Sequence, residues 1–90
     1  MWIGFGFVDK RITVLMERKN IDLEKRFGAK LAYIRKSRKL SQMKLAEIVD
    51  MNFNYIGQIE RGEANVTIKT MKLLANALDV EVGELFEFHF

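Results

Sequence analysis

At 90 residues, 49% apolar and 30% charged, the chain has the make-up of one globular domain and not of a disordered segment. It has no cysteine and one histidine, His89, which excludes a disulfide framework and a zinc site built from His and Cys; no apolar run approaches the roughly 18 residues that span a bilayer. Net charge is only +3, but residues 23–45 carry eight Lys and Arg against Glu24 alone, while Asp79, Glu81, Glu84 and Glu87 are matched by no base in the last twelve residues.

Residues 1–20 read as an N-terminal extension. Ile3, Phe5 and Phe7 alternate with Trp2, Gly4 and Gly6, and Ile12-Thr13-Val14-Leu15 is β-branched and apolar, so a hairpin turning near Asp9-Lys10 is one expectation and disorder the other. The glycines weaken such strands, and a lone hairpin is marginal in water. Met16 is an alternative natural start. The opening MWIGFGFVDKR has neither a basic leader nor a small-residue cleavage site, so secretion is not expected and the cytoplasm is.

Residues 21–86 form the main domain, expected to be all-α with five short helices and short β segments at the chain's two ends. Asp22 is placed to N-cap a first helix with Phe27, Leu31 and Ile34 on one face, ending near Arg38-Lys39. Ser41 caps a second, Gln42–Val49, with Leu45, Ala46, Ile48 and Val49 available to the core and Asp50 as its stop. Asn52 caps a third, from Phe53 to about Arg61, with Gly62 as the exit. Thr67 caps a fourth, in which Ile68, Met71, Leu74, Ala75 and Leu78 trace one face, and Val82–Phe86 is a short fifth. The ending Phe86-Glu87-Phe88-His89-Phe90 alternates like a strand, and residues 87–90 read as a C-terminal tail.

Between Ser41 and Glu60, two short helices are joined by about three residues, the layout of a helix-turn-helix. Counting Gln42 as position one, Ala46 supplies the small residue needed at five and Asp50 the turn residue at nine; Met51, Ile56 and Ile59 supply the apolar residues at ten, fifteen and eighteen. The blocks LSQMKLAEIV (40–49), YIGQIERGEANVT (55–67) and LLANALDVEVGELF (73–86) occur in order. Together they resemble the Xre/Cro-type helix-turn-helix family of phage repressors and bacterial regulators, over about Phe27 to Phe86. The run Asn65-Val66-Thr67-Ile68 is similar to the same segment in controller proteins of restriction–modification systems. The chain departs from the family pattern in having Asp50 where glycine is usual and Val66 where proline is frequent.

A major groove about 12 Å wide admits one helix, and in this arrangement the second helix of the pair points its N-terminal half at base edges. The expected base readers are Asn52, Phe53, Asn54 and Gln58, since Asn and Gln amides pair with adenine and an aromatic ring packs on a thymine methyl. For Asn52 the competing role is a helix cap, for Phe53 a buried anchor, for Asn54 and Gln58 plain solvent exposure. Backbone contacts are expected from Ser41, Gln42, Lys44, Tyr55, Arg61 and Lys69, where Tyr55 can reach phosphate or cover the core and the lysines and Arg61 can be solvated charges; Arg38 and Lys39 are weaker candidates of the same kind. The resemblance implies that Arg35 and Glu60 form an internal salt bridge holding the first helix to the recognition helix. Val80, Val82, Leu85, Phe86, Phe88 and Phe90 make an apolar C-terminal surface, read as a homodimer contact or as part of the chain's own core.

The expectation is a non-enzymatic regulator that binds a pseudo-palindromic operator in double-stranded DNA as a homodimer, as a repressor or autoregulator, without cofactor or metal. The alternative is the antitoxin of a toxin–antitoxin pair, with the same DNA fold and terminal segments that hold a protein partner. Neither Ser37 nor Ser41 has a histidine partner, and Gly4-Phe5-Gly6 lacks the third glycine of a nucleotide loop.

Overall fold

The computed structural model describes residues 10–87, with side chains described from Leu23 onward. Four α-helices follow in order: α1 Lys10–Ser37, α2 Gln42–Val49, α3 Phe53–Glu60 and α4 Ile68–Leu78, closed by a 3-10 turn at Val82–Phe86. The fifth element is thus a 3-10 turn and not an α-helix, and no strand occurs among the described residues.

The largest departure from expectation lies in α1. Its helix runs unbroken through Asp22, which is no cap, and takes in Ile12-Thr13-Val14-Leu15, for which a strand was the expectation. No Gly or Pro stands between Val8 and Phe27, and Glu17, Arg18, Lys19, Glu24, Lys25 and Arg26 are good helix formers. Extending an existing helix avoids the nucleation penalty, and a β-branched residue costs only a few tenths of a kcal/mol there. Residues 1–9 and Phe88-His89-Phe90, on which the rest of the hairpin and the terminal strand were placed, lie outside the described residues. Phe86 itself is in the 3-10 turn.

The caps follow from the local sequence. Ser41, Asn52 and Thr67 each have extended backbone and a side-chain oxygen that accepts an amide of the first turn. All four helices end with a residue in the left-handed conformation: Lys39, Asp50, Gly62 and Asp79. Each ending makes the paired backbone bonds of a Schellman motif, as in Asp50 N–H to Glu47 O at 3.2 Å and Met51 N–H to Ala46 O at 2.9 Å. The residue after three of these turns (Leu40, Met51, Val80) is apolar and packs on the core, which fixes each exit angle.

Every element gives one stripe to a common core. Phe27, Leu31 and Ile34 come from α1, Leu45 and Ala46 from α2, Ile56 and Ile59 from α3, and Leu74, Ala75 and Leu78 from α4, with Leu85 from the closing turn. Two glycines set how closely α1 approaches the end of α3. A Cβ on Gly28 would lie 2.2 Å from Ile59 O and 2.6 Å from Glu60 O, and one on Gly62 would lie 2.8 Å from the Lys25 Cα. Backbone therefore rests on backbone here, and α3 is held at a fixed height against the rest of the domain.

Candidate nucleic-acid interface

Helices α2 and α3 are joined by Asp50, Met51 and Asn52 alone. Ala46 is buried where α2 meets the rest of the domain, and Ile56 and Ile59 carry the inner face of α3 into the core. The opposite face of α3 is left to solvent. Asn54 and Gln58 stand four residues apart on it, both exposed, and among the described residues neither side chain is drawn into an internal hydrogen bond. Phe53, at the first position of α3, is 44% exposed and is not a buried anchor. Asn52 is committed to the cap: its Oδ1 accepts the Asn54 N–H at 2.7 Å. The cap bond fixes the orientation of this side chain, so any base contact by its amide N–H groups or by the oxygen's second lone pair is made from that position.

Beneath this face lies a hydrogen-bonded network. Arg35 Nε donates to Glu60 Oε2 at 2.6 Å and its Nη2 to Glu60 Oε1 at 3.0 Å, with the two side chains only 8% and 6% exposed. Arg35 Nη1 donates to the Leu40 carbonyl at 2.6 Å, so the guanidinium also pins the turn between α1 and α2. The Gln42 amide donates to Glu60 Oε1 at 2.9 Å. One carboxylate thus ties α1, the start of α2 and the end of α3 together. The sequence pairs Arg35 with Glu60 through resemblance, but Gln42 as a third member has no signal in spacing.

The charged candidates are less uniform. Ser41 Oγ accepts the Lys44 N–H at 2.9 Å, and the exposed Lys44 ammonium sits 3.5 Å from Glu47. Arg61 is exposed and pairs with Glu63 at 3.1 Å, and Lys69 is exposed in the first turn of α4. Tyr55 is half-buried against the core, and its hydroxyl donates to the Asn65 carbonyl at 3.4 Å, so its ring covers the core while its oxygen reaches the α3–α4 loop. Arg38 turns away from any such role: its Nε donates to the Leu78 carbonyl at the end of α4.

The pattern that defines the helix-turn-helix family (HTH_3) matches residues 31–85, which takes in both helices of this unit and the elements that brace it. The chain belongs to the helix-turn-helix family. It is similar to the control protein C.SmaI of Serratia marcescens, 38% identical over 65 residues that make up 72% of this chain and 77% of that one. The crystal structure of the restriction-modification controller protein C.AhdI from Aeromonas hydrophila aligns with a TM-score of 0.68 at 40% identity, covering 69% of this chain and 94% of its own. The controller protein C.Esp1396I, solved as a tetramer in complex with its natural 35 base-pair operator, aligns with a TM-score of 0.62 at 26% identity, over 72% of this chain and 96% of its own.

In this helix-turn-helix chain the expected dimer surface divides. Leu85 is fully buried within its own core and is not available to a partner, and Phe86 stacks on Phe27 with ring centroids 5.2 Å apart. Val80 and Val82 are half-buried against the same core, while Phe88 and Phe90 lie outside the described residues. Leu85 and Phe86 thus close the domain's own core, with Phe86 set against α1 at Phe27.

Proposed function

We propose that this helix-turn-helix protein is a sequence-specific DNA-binding transcriptional regulator, acting as a repressor or autoregulator, and that it binds a two-fold operator as a homodimer in the cytoplasm. The observation that carries this reading is the outer face of α3, where Asn54 and Gln58 are presented together on a helix locked from behind by the Arg35–Glu60–Gln42 network. A rigid helix with unengaged amides fits base-edge readout in a major groove. Asn54 and Gln58 are the principal readers, Phe53 the methyl contact, and Asn52 chiefly a cap. Ser41, Gln42, Lys44, Arg61 and Lys69 serve the backbone. The relatives above are all controller proteins, one of them bound to its operator, and they favour a regulator over the antitoxin alternative.

Selection of bound sequences from a random DNA pool tests this. The expected product is a pseudo-palindrome whose half-sites lie about one helical turn apart and include A·T pairs. A pool that shows no enrichment after repeated rounds would sink the proposal.

A further inference from the structure

The middle turn of α3 carries a glycine, a poor helix former in a helix only eight residues long. Gly57 is buried, yet it does not lie against a neighbouring backbone as Gly28 does. A Cβ built on it would stand 3.0 Å from Arg61 Nη1, 3.9 Å from Arg61 Cζ and 3.7 Å from Gln42 Oε1. The space a side chain would fill is taken by the guanidinium of Arg61, one turn further along the same helix, beside the first residue of α2. Both neighbours have partners of their own, Gln42 in the buried network and Arg61 at the surface. The Gln42 amide is held by Glu60, which is itself held by Arg35, and the Nε edge of Arg61 is turned toward Glu63.

We infer that Gly57 is a positioning residue for DNA-backbone contact: by lacking a side chain it lets the Arg61 guanidinium lie in the crease between α2 and α3. This rests on the regulator reading above. In that docking mode the first helix of the pair crosses the DNA backbone and the second enters the groove, so a cation in the crease stands where a phosphate passes. A guanidinium already seated there loses less freedom on meeting the phosphate than one gathered from solvent. A methyl at position 57 pushes the Nη1 end outward by a few tenths of an ångström, because 3.0 Å is tighter than an ordinary Cβ contact and the exposed arginine is the neighbour that can give.

The test uses the whole chain and a mixed-sequence duplex about three helical turns long, because phosphate contacts do not depend on sequence. Binding across a salt series and thermal midpoints are measured for the wild type, Gly57→Ala, Arg61→Ala and the double variant. Gly57→Ala is expected to raise the midpoint, alanine being the better helix former, yet to weaken binding by about three- to ten-fold. It is also expected to flatten the log–log salt slope by about 0.9, the share of one phosphate. The double variant is expected to bind no worse than Arg61→Ala alone. Unchanged binding of Gly57→Ala overturns the inference, as does an equal loss with and without Arg61, which would mark a direct clash between the methyl and DNA. If the wild type shows no salt-dependent binding to any duplex, the regulator reading falls, and this inference with it.

Discussion

At Arg35 every nitrogen of a nearly buried guanidinium is in use, two on Glu60 and one on the Leu40 carbonyl. Truncating it leaves the Glu60 carboxylate without its cation, and breaking a buried pair in this way typically costs about 3–5 kcal/mol. Arg35→Ala is therefore expected to lower the unfolding free energy by that amount, read as a lower urea midpoint at unchanged m-value. Arg35→Lys is expected to rescue little, since an ammonium cannot reproduce the fork. A loss of DNA binding with full stability in either variant would contradict this assignment. Asn54 and Gln58 have the opposite profile. Exposed and outside any internal network, they are expected to leave the thermal midpoint unchanged on replacement by alanine. Each is expected instead to relax preference at a single base position by about 1–3 kcal/mol. Equal weakening on every sequence would show that they touch backbone and not bases. Asn52→Ala should mix the two effects, because its oxygen caps α3, and its cost of about 1 kcal/mol in stability would be read before any change in specificity.

Among the elements, the joints are where stability is most open to change. Lys39 holds the left-handed conformation that ends α1 at φ 60° without the short polar side chain that helps Asp50 and Asp79. That conformation costs a non-glycine residue roughly 1–2 kcal/mol, part of which is returned as unfolded-chain entropy when glycine replaces it. Lys39→Gly is accordingly expected to stabilise the fold by about 0.5–1 kcal/mol, seen as a higher thermal midpoint. Gly28→Ala should act in the other direction. Its Cβ would fall inside contact distance of two α3 carbonyls that belong to a helix backbone and cannot swing aside, so a loss of at least about 1–3 kcal/mol is expected. The same joints explain what was legible in the sequence. Helices α2, α3 and α4 could be read because Ser41, Asn52 and Thr67 announce their starts, and Asp50 and Gly62 announce two of the ends. The start of α1 could not, because Asp22 looks like a cap while nothing N-terminal to it breaks the helix, and a β-branched run is only a weak vote against helix once neighbours propagate it. Leu85 and Phe86 were ambiguous for a different reason. An apolar run near a terminus has the same composition whether it meets a partner or closes its own core, and only the position of Phe27 decides between them. The close approach at Gly28 depends on atoms distant in sequence and had no local signal.

For the molecule as a whole, the separation of charge is the feature that acts over the longest range. Residues 23–45 carry eight Lys and Arg against Glu24 alone, and that local basic excess is what draws in a polyanion. Binding should therefore weaken steeply with salt, through release of counterions from each phosphate contacted. A single recognition helix, however, with Phe53, Asn54 and Gln58 as its proposed readers, would meet only a few base pairs. Two such helices, set by a dimer about one turn of DNA apart, are what raise a weak contact to an operator-specific one. With Leu85 and Phe86 engaged internally, the proposed dimer contact rests on the half-buried Val80 and Val82 and on the sequence of the tail after Glu87. Removing residues 87–90 is then expected to shift the sedimentation mass toward the monomer and to cut affinity for a two-fold site far more than for an isolated half-site. The comparison between sites carries the decision, since a general folding defect would weaken both alike. A truncated protein that keeps the full-length mass and the full preference for paired half-sites would move the dimer contact away from this end of the chain.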